Sequence, residues 1–106
     1  MSPRNDVART VTDNAAASRY ELHLDGRLSG IVDYRGVGDD NDAGYLLIPH
    51  IEVLPELRGR GYSAPFLDEV LADIDRRGLK IVPLCSYARA HVADRPHLQA
   101  MVARGD

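Results

Sequence analysis

Val53-Leu54-Pro55-Glu56-Leu57-Arg58-Gly59-Arg60-Gly61-Tyr62-Ser63 runs from a strand-like segment into an amphipathic helix. Its chemistry suits an anionic phosphate. Gly59 and Gly61 let the backbone approach a ligand closely, Arg58 and Arg60 supply positive charge, and the first unpaired amides of the following helix point at whatever sits there. The candidate phosphate-binding set is therefore Val53, Arg58, Gly59, Arg60, Gly61, Tyr62 and Ser63. An Arg-Gly-Arg-Gly turn is also an ordinary exposed connector, so the flanking segments decide its reading.

Downstream, Phe66, Leu67, Val70, Leu71 and Ile74 recur at helical spacing while Asp68, Glu69, Asp73, Asp75 and Arg76 can face water, which predicts a helix over 64–77. Pro65 fits only the first turn and Gly78 is a natural C-cap, so the glycine-rich loop feeds the helix N terminus directly. Leu79 to Leu84 reads as a strand. Residues 45–84 then form a strand–loop–helix–strand unit, expected as a right-handed crossover with its helix on one face of the sheet. Tyr87 to Val92 and His97 to Ala103 read as short helices separated by Arg95-Pro96.

Upstream, Tyr20 to Leu24 alternates apolar and polar residues, Asp25-Gly26 is a hairpin turn, and Leu28 to Tyr34 returns as the partner strand. Gly36 to Gly44 is acidic and rich in turn residues, an exposed loop leading into a third strand over 45–53. Its acidic and amide side chains lack the spacing and terminal Glu of an EF-hand loop, which argues against calcium. Residues 1–17 show no sustained periodicity and are expected to form a mobile arm before a single domain over 18–106.

With 106 residues and a net charge of −3, the chain is sized for one domain, and it has no long basic stretch of the kind that binds nucleic acid. Its positive charge is concentrated at Arg58 and Arg60, a field suited to a small anionic ligand. No apolar run approaches the roughly 20 residues that span a bilayer, and the first 18 residues hold no signal-peptide core, so no membrane partner and a cytoplasmic location are expected. A single cysteine forbids an intramolecular disulfide, so Cys85 is either a packed core residue or a functional thiol. The oligomeric state is left open, a monomer being sufficient.

His50 and Glu52 are two apart on a strand and point to one face, just upstream of the phosphate loop. A base there can take a proton from an attacking nucleophile. The bland alternatives are a hydrogen-bonded histidine fixing the strand and a solvent-facing glutamate.

Three motifs in order carry a resemblance: His50-Ile51-Glu52-Val53, Arg58-x-x-Gly61-x-Ser63, and Pro83-Leu84-Cys85-Ser86-Tyr87. Together they resemble the minimal single-domain members of the GNAT acetyltransferase superfamily over roughly residues 18–103. The departures are Ile51 for the usual Thr, Ser63 for Gly or Ala, and Asp94-Arg95-Pro96-His97-Leu98 near the C terminus. The resemblance implies an α/β (α+β) fold: a mainly antiparallel sheet, one principal helix after the phosphate loop and short C-terminal helices. It further implies acetyl-CoA as co-substrate, an amine acceptor, and pyrophosphate on the loop. Cys85 would then line the thiol end of CoA, and Tyr87 would donate a proton to the departing thiolate. A non-enzymatic acyl-CoA-binding or sensing module is the alternative, since it needs the loop but neither His50 nor Cys85.

Overall fold

The computed structural model describes residues 8–37 and 44–103. One sheet runs in the order β1 (Arg9–Asn14), β2 (Arg19–Leu24), β3 (Arg27–Val37), β4 (Tyr45–Val53) and β5 (Lys80–Pro83). The first four strands pair antiparallel, and β5 joins β4 in parallel after the crossover through helix α1 (Ser63–Arg76). Two short helices follow, α2 (Ser86–Ala93) and α3 (Pro96–Gln99). The expected hairpin, third strand, principal helix and mainly antiparallel sheet are all present. Among the described residues, no helix is long and apolar enough to cross a membrane.

Three expectations are corrected. Part of the arm expected through residue 17 is a strand: Arg9–Asn14 pairs along β2 in the register Arg9↔Leu24 to Asn14↔Arg19. Thr10-Val11-Thr12 is a β-branched triplet that gains a partner only in the sheet. Residues 1–7 of that arm lie outside the described residues. The acidic loop begins later than expected, because Gly36 and Val37 still pair with Leu46 and Tyr45, and residues 38–43 are likewise outside the described residues. The last helix stops at Gln99. Met101 turns back instead, its carbonyl accepting from Ile81 N at 2.9 Å while Ala103 N donates to Ile81 O at 2.8 Å.

The sheet turns one face to a core of Tyr20, Leu22, Val32, Leu46, Ile48 and Ile81, closed by Phe66, Leu67, Val70, Leu71 and Ile74 of α1 and by Ala88, Val92 and Leu98. Alternation along β2 puts Tyr20, Leu22 and Leu24 inward and Arg19, Glu21 and His23 on the other face. Helix α1 ends as its sequence dictates. Gly78, at φ 76°, takes the left-handed conformation, with its amide on Asp75 O and Leu79 N on Ile74 O, a Schellman termination.

A polar network ties the far end of α1 to the sheet. Tyr20 donates its hydroxyl to Asp73 at 2.5 Å, Tyr34 donates to Asp13 at 2.6 Å, and Arg77 bridges Asp13 and Asp73 at 2.8 and 3.2 Å. The Tyr20 hydrogen bond holds the Asp73 carboxyl below its ordinary range, while burial first, and then Asp73, pushes the Tyr20 hydroxyl up. Burial and Asp13 push Tyr34 up to about 12. A depressed carboxyl contributes stability that is present above its unfolded pKa, about 4, and is lost as pH falls through the folded value. A raised phenol contributes stability that is present below its unfolded pKa, about 10, and is lost as pH rises toward the folded value. Unfolding free energy should therefore plateau between about pH 4 and 10. Tyr20→Phe should lower the plateau by about 1.5–3 kcal/mol, the value of a hydrogen bond to a charged group. Urea denaturation across pH checks both; a variant with an unchanged plateau would show that the network is idle.

Candidate functional site

The site is set by an irregularity in β4. Asp33 pairs with His50 but Arg35 pairs with Leu47, so Ile48 and Pro49 together stand opposite Tyr34 alone. This extra residue is a β-bulge, and it reverses the inward–outward alternation. Leu46 and Ile48 face α1 before it, whereas Val53 is buried and Ile51 packs on the core after it. His50 and Glu52 would otherwise share the face of Ile48 and lie beneath α1. The bulge places both on the opposite, helix-free face.

At the same point β5 leaves β4. Their pairing covers only Tyr45↔Lys80 to Ile48↔Pro83, and Leu84 N then reaches back to Ile48 O at 2.9 Å. Beyond Ile48 no strand among the described residues pairs with that edge of β4. Leu54 N donates to Ser29 O, so by the two-residue alternation of an antiparallel ladder the amides and carbonyls of His50 and Glu52 face β3. Those of Ile51 and Val53 face the open edge. Arg58 Nε donates to Val53 O at 3.2 Å, which fixes the guanidinium beside the gap.

After Val53 the chain makes one turn of 3-10 helix, Pro55–Leu57, and then passes through Gly59 at φ 80° and Gly61 at φ 86° into α1. Both glycines occupy the left-handed region that side chains resist. Tyr62 offers no side-chain cap, Phe66 N is taken by Tyr62 O, and Pro65 has no amide hydrogen. The amides of Ser63 and Ala64 thus open the helix toward solvent with its positive dipole end behind them.

His50, Ile51, Glu52, Val53, Arg58, Ser63 and Tyr87 line one cleft of about 450 Å³. His50 Nε2 lies 3.0 Å from Glu52 Oε1, and this hydrogen bond holds the Glu52 carboxyl below the usual carboxylate range. An ionised carboxylate only accepts, so Nε2 carries the hydrogen and the lone pair of a neutral His50 resides on Nδ1. Tyr87 is exposed, with its ring 6.0 Å from that of His91. His91 is buried and joined to Asp68 of α1 at 2.7 Å, a helix-to-helix contact that spacing alone did not reveal.

Cys85 stands apart from the other candidates. It is the N-cap of α2, its Sγ accepting from Ala88 N at 3.4 Å, and it packs partly on the core. His50, Glu52 and Tyr87 share the cleft with Arg58 and Ser63; Cys85 is not among the residues that line it. Gly59, Arg60 and Gly61 form the exposed loop at its margin.

Residues 19–101 match the family model of the GCN5-related N-acetyltransferases. The chain belongs to that family. A solved structure similar to it is the ribosomal-protein-alanine N-acetyltransferase from Brucella melitensis biovar Abortus 2308, with 21% identity and a TM-score of 0.56 over 83% of this chain. The match spans 62% of that structure's length, and at this identity the likeness concerns the fold. No curated protein matches the chain.

Proposed function

We propose that the chain transfers an acetyl group from acetyl-CoA to an amine by direct attack within the cleft beside β4. The observation that carries this reading is the convergence on one cleft of a histidine–carboxylate pair, an unpaired strand edge and the start of α1. The amides of Ser63 and Ala64, with the left-handed glycine loop and Arg60, suit the pyrophosphate. The open edge of β4 offers the Ile51 amide and carbonyl and the Val53 amide to the amide-bearing pantetheine arm, as an added strand would use them.

His50 Nδ1 takes a proton from the acceptor ammonium, and Glu52 stabilises the imidazolium formed. The amine nitrogen bonds to the thioester carbonyl carbon, the carbon–sulfur bond breaks, and CoA leaves as a thiolate. Tyr87 donates a proton to that thiolate and recovers one from the nitrogen of the new amide by way of solvent. Holding both substrates in one cleft supplies the orientation that direct transfer needs. Cys85 caps α2 near the thiol end and is not acylated in this scheme.

Calorimetry with acetyl-CoA tests the assignment. Gly61→Val forces a branched side chain into left-handed backbone, and Arg58→Ala removes the cation held at the mouth of the gap. Hydrogen bonds to charged groups are worth about 1.5–3 kcal/mol, so each variant should raise the acetyl-CoA Kd at least tenfold. Unchanged affinity in both would remove the loop from the binding site.

A further inference from the structure

A second cleft, of about 200 Å³, opens on the helix-free face of the sheet and shares Glu52 with the first. Its walls are Leu28, Ile31 and Leu54, with Arg19 and Glu52 as its two charged groups. The bulge that opens the floor is visible in the register: Leu22 pairs with Gly30 and His23 with Leu28, leaving Ser29 as the extra residue. Leu28 is left 40% exposed at the rim.

We propose that this cleft is the acceptor site and that it takes a small α-amino acid with an aliphatic side chain. The inference rests on the transferase reading above. In this arrangement the ammonium meets Glu52, the carboxylate meets Arg19, and the side chain lies on Leu28, Ile31 and Leu54. Two observations carry it. The volume is below the roughly 300–1,000 Å³ of clefts for larger ligands, which favours a molecule of amino-acid size. Arg19 and Glu52 stand on β2 and β4 with β3 between them, offset by two residues along the sheet, since Arg19 is in register with Asp33 and His50 while Glu52 is in register with Ile31 and Glu21; both line the one cleft. The cleft thus pairs one cationic with one anionic group, the complements of a carboxylate and an ammonium carried on one carbon.

The remaining contacts fit those roles. Glu52 gives one oxygen to His50 and keeps a second for the ammonium. Arg19 uses Nε toward Glu21 at 2.9 Å and keeps its terminal nitrogens for a carboxylate. Asn14 also donates to Glu21, so that carboxylate is satisfied from within the sheet. Because Glu52 lines both clefts, an amine held there adjoins the space assigned to the thioester.

Amide-resolved NMR titration tests the proposal, using L-leucine, L-leucinamide and a tripeptide with N-terminal leucine, each with and without saturating CoA. L-leucine should shift the amides of Ser29, Gly30, Ile31 and Leu54. L-leucinamide, lacking the carboxylate, should bind at least tenfold more weakly, and Arg19→Gln should weaken L-leucine by a similar factor. Leu28→Trp, at an exposed position, should block the cleft without touching the core. Absence of L-leucine shifts at these amides, or equal binding of the amide, overturns the proposal, and tighter binding of the tripeptide reassigns the cleft to a peptide N terminus. Acetyl-CoA is read separately at Gly59 to Ala64. If those amides stay unmoved while L-leucine shifts its own set, the transferase reading fails and the amino-acid site stands.

Discussion

His50→Gln should lower kcat by about 10²–10⁴-fold, the range that a positioned general base contributes, while leaving the acetyl-CoA Kd within about twofold. The separation follows from position. His50 projects from the helix-free face of β4, whereas the groups assigned to pyrophosphate lie across the loop at the start of α1. Glutamine keeps the size and a donor for Glu52 but cannot take a proton. Glu52→Gln should act more mildly on kcat, since its amide oxygen still accepts from His50 Nε2 while the countercharge for an imidazolium is gone. Under the acceptor-site proposal it should also raise the acceptor KM. Steady-state kinetics with calorimetry on the same preparations checks the pair; full turnover by His50→Gln would remove the histidine from the reaction.

The sequence shows β4, the loop and α1 because each has a local cause. Tyr45 to Val53 is strand-forming, Pro65 and Gly78 bracket the helix, and five apolar side chains repeat on one helical face. The candidate residues His50, Glu52, Arg58, Ser63 and Tyr87 were likewise legible as chemistry, and the structure puts them around one cleft. What did not show is what depends on partners distant in the chain. Arg9–Asn14 is a strand only because β2 supplies its hydrogen bonds, and α3 ends early because Met101 and Ala103 pair with Ile81. The reversal of faces at Ile48 and Pro49 is a property of register with β3, so the outward projection of His50 and Glu52 could not be read from β4 alone. Nor could the cleft between Arg19 and Glu52, whose walls come from three strands and the segment after β4.

Phe66→Ala should cost about 3–5 kcal/mol of unfolding free energy, the range for removing a large aromatic side chain from a packed core. Phe66 is fully buried in the first turns of α1, and its ring edge would lie 3.2 Å from a Cβ added at Gly30. That added atom would also lie 3.1 Å from Glu52 O, so the absence of a side chain at Gly30 is what lets α1 settle this close to β3 and β4. With total stabilities of small domains near 5–15 kcal/mol, the variant should be only marginally folded. Urea denaturation reads the loss, and a change below about 1 kcal/mol would show that the core closes over the gap. The same contact links stability to binding. Phe66 anchors the helix start that presents Ser63 and Ala64, so the folded fraction of Phe66→Ala should bind acetyl-CoA more weakly, and saturating acetyl-CoA should restore less stability than it adds to the native chain.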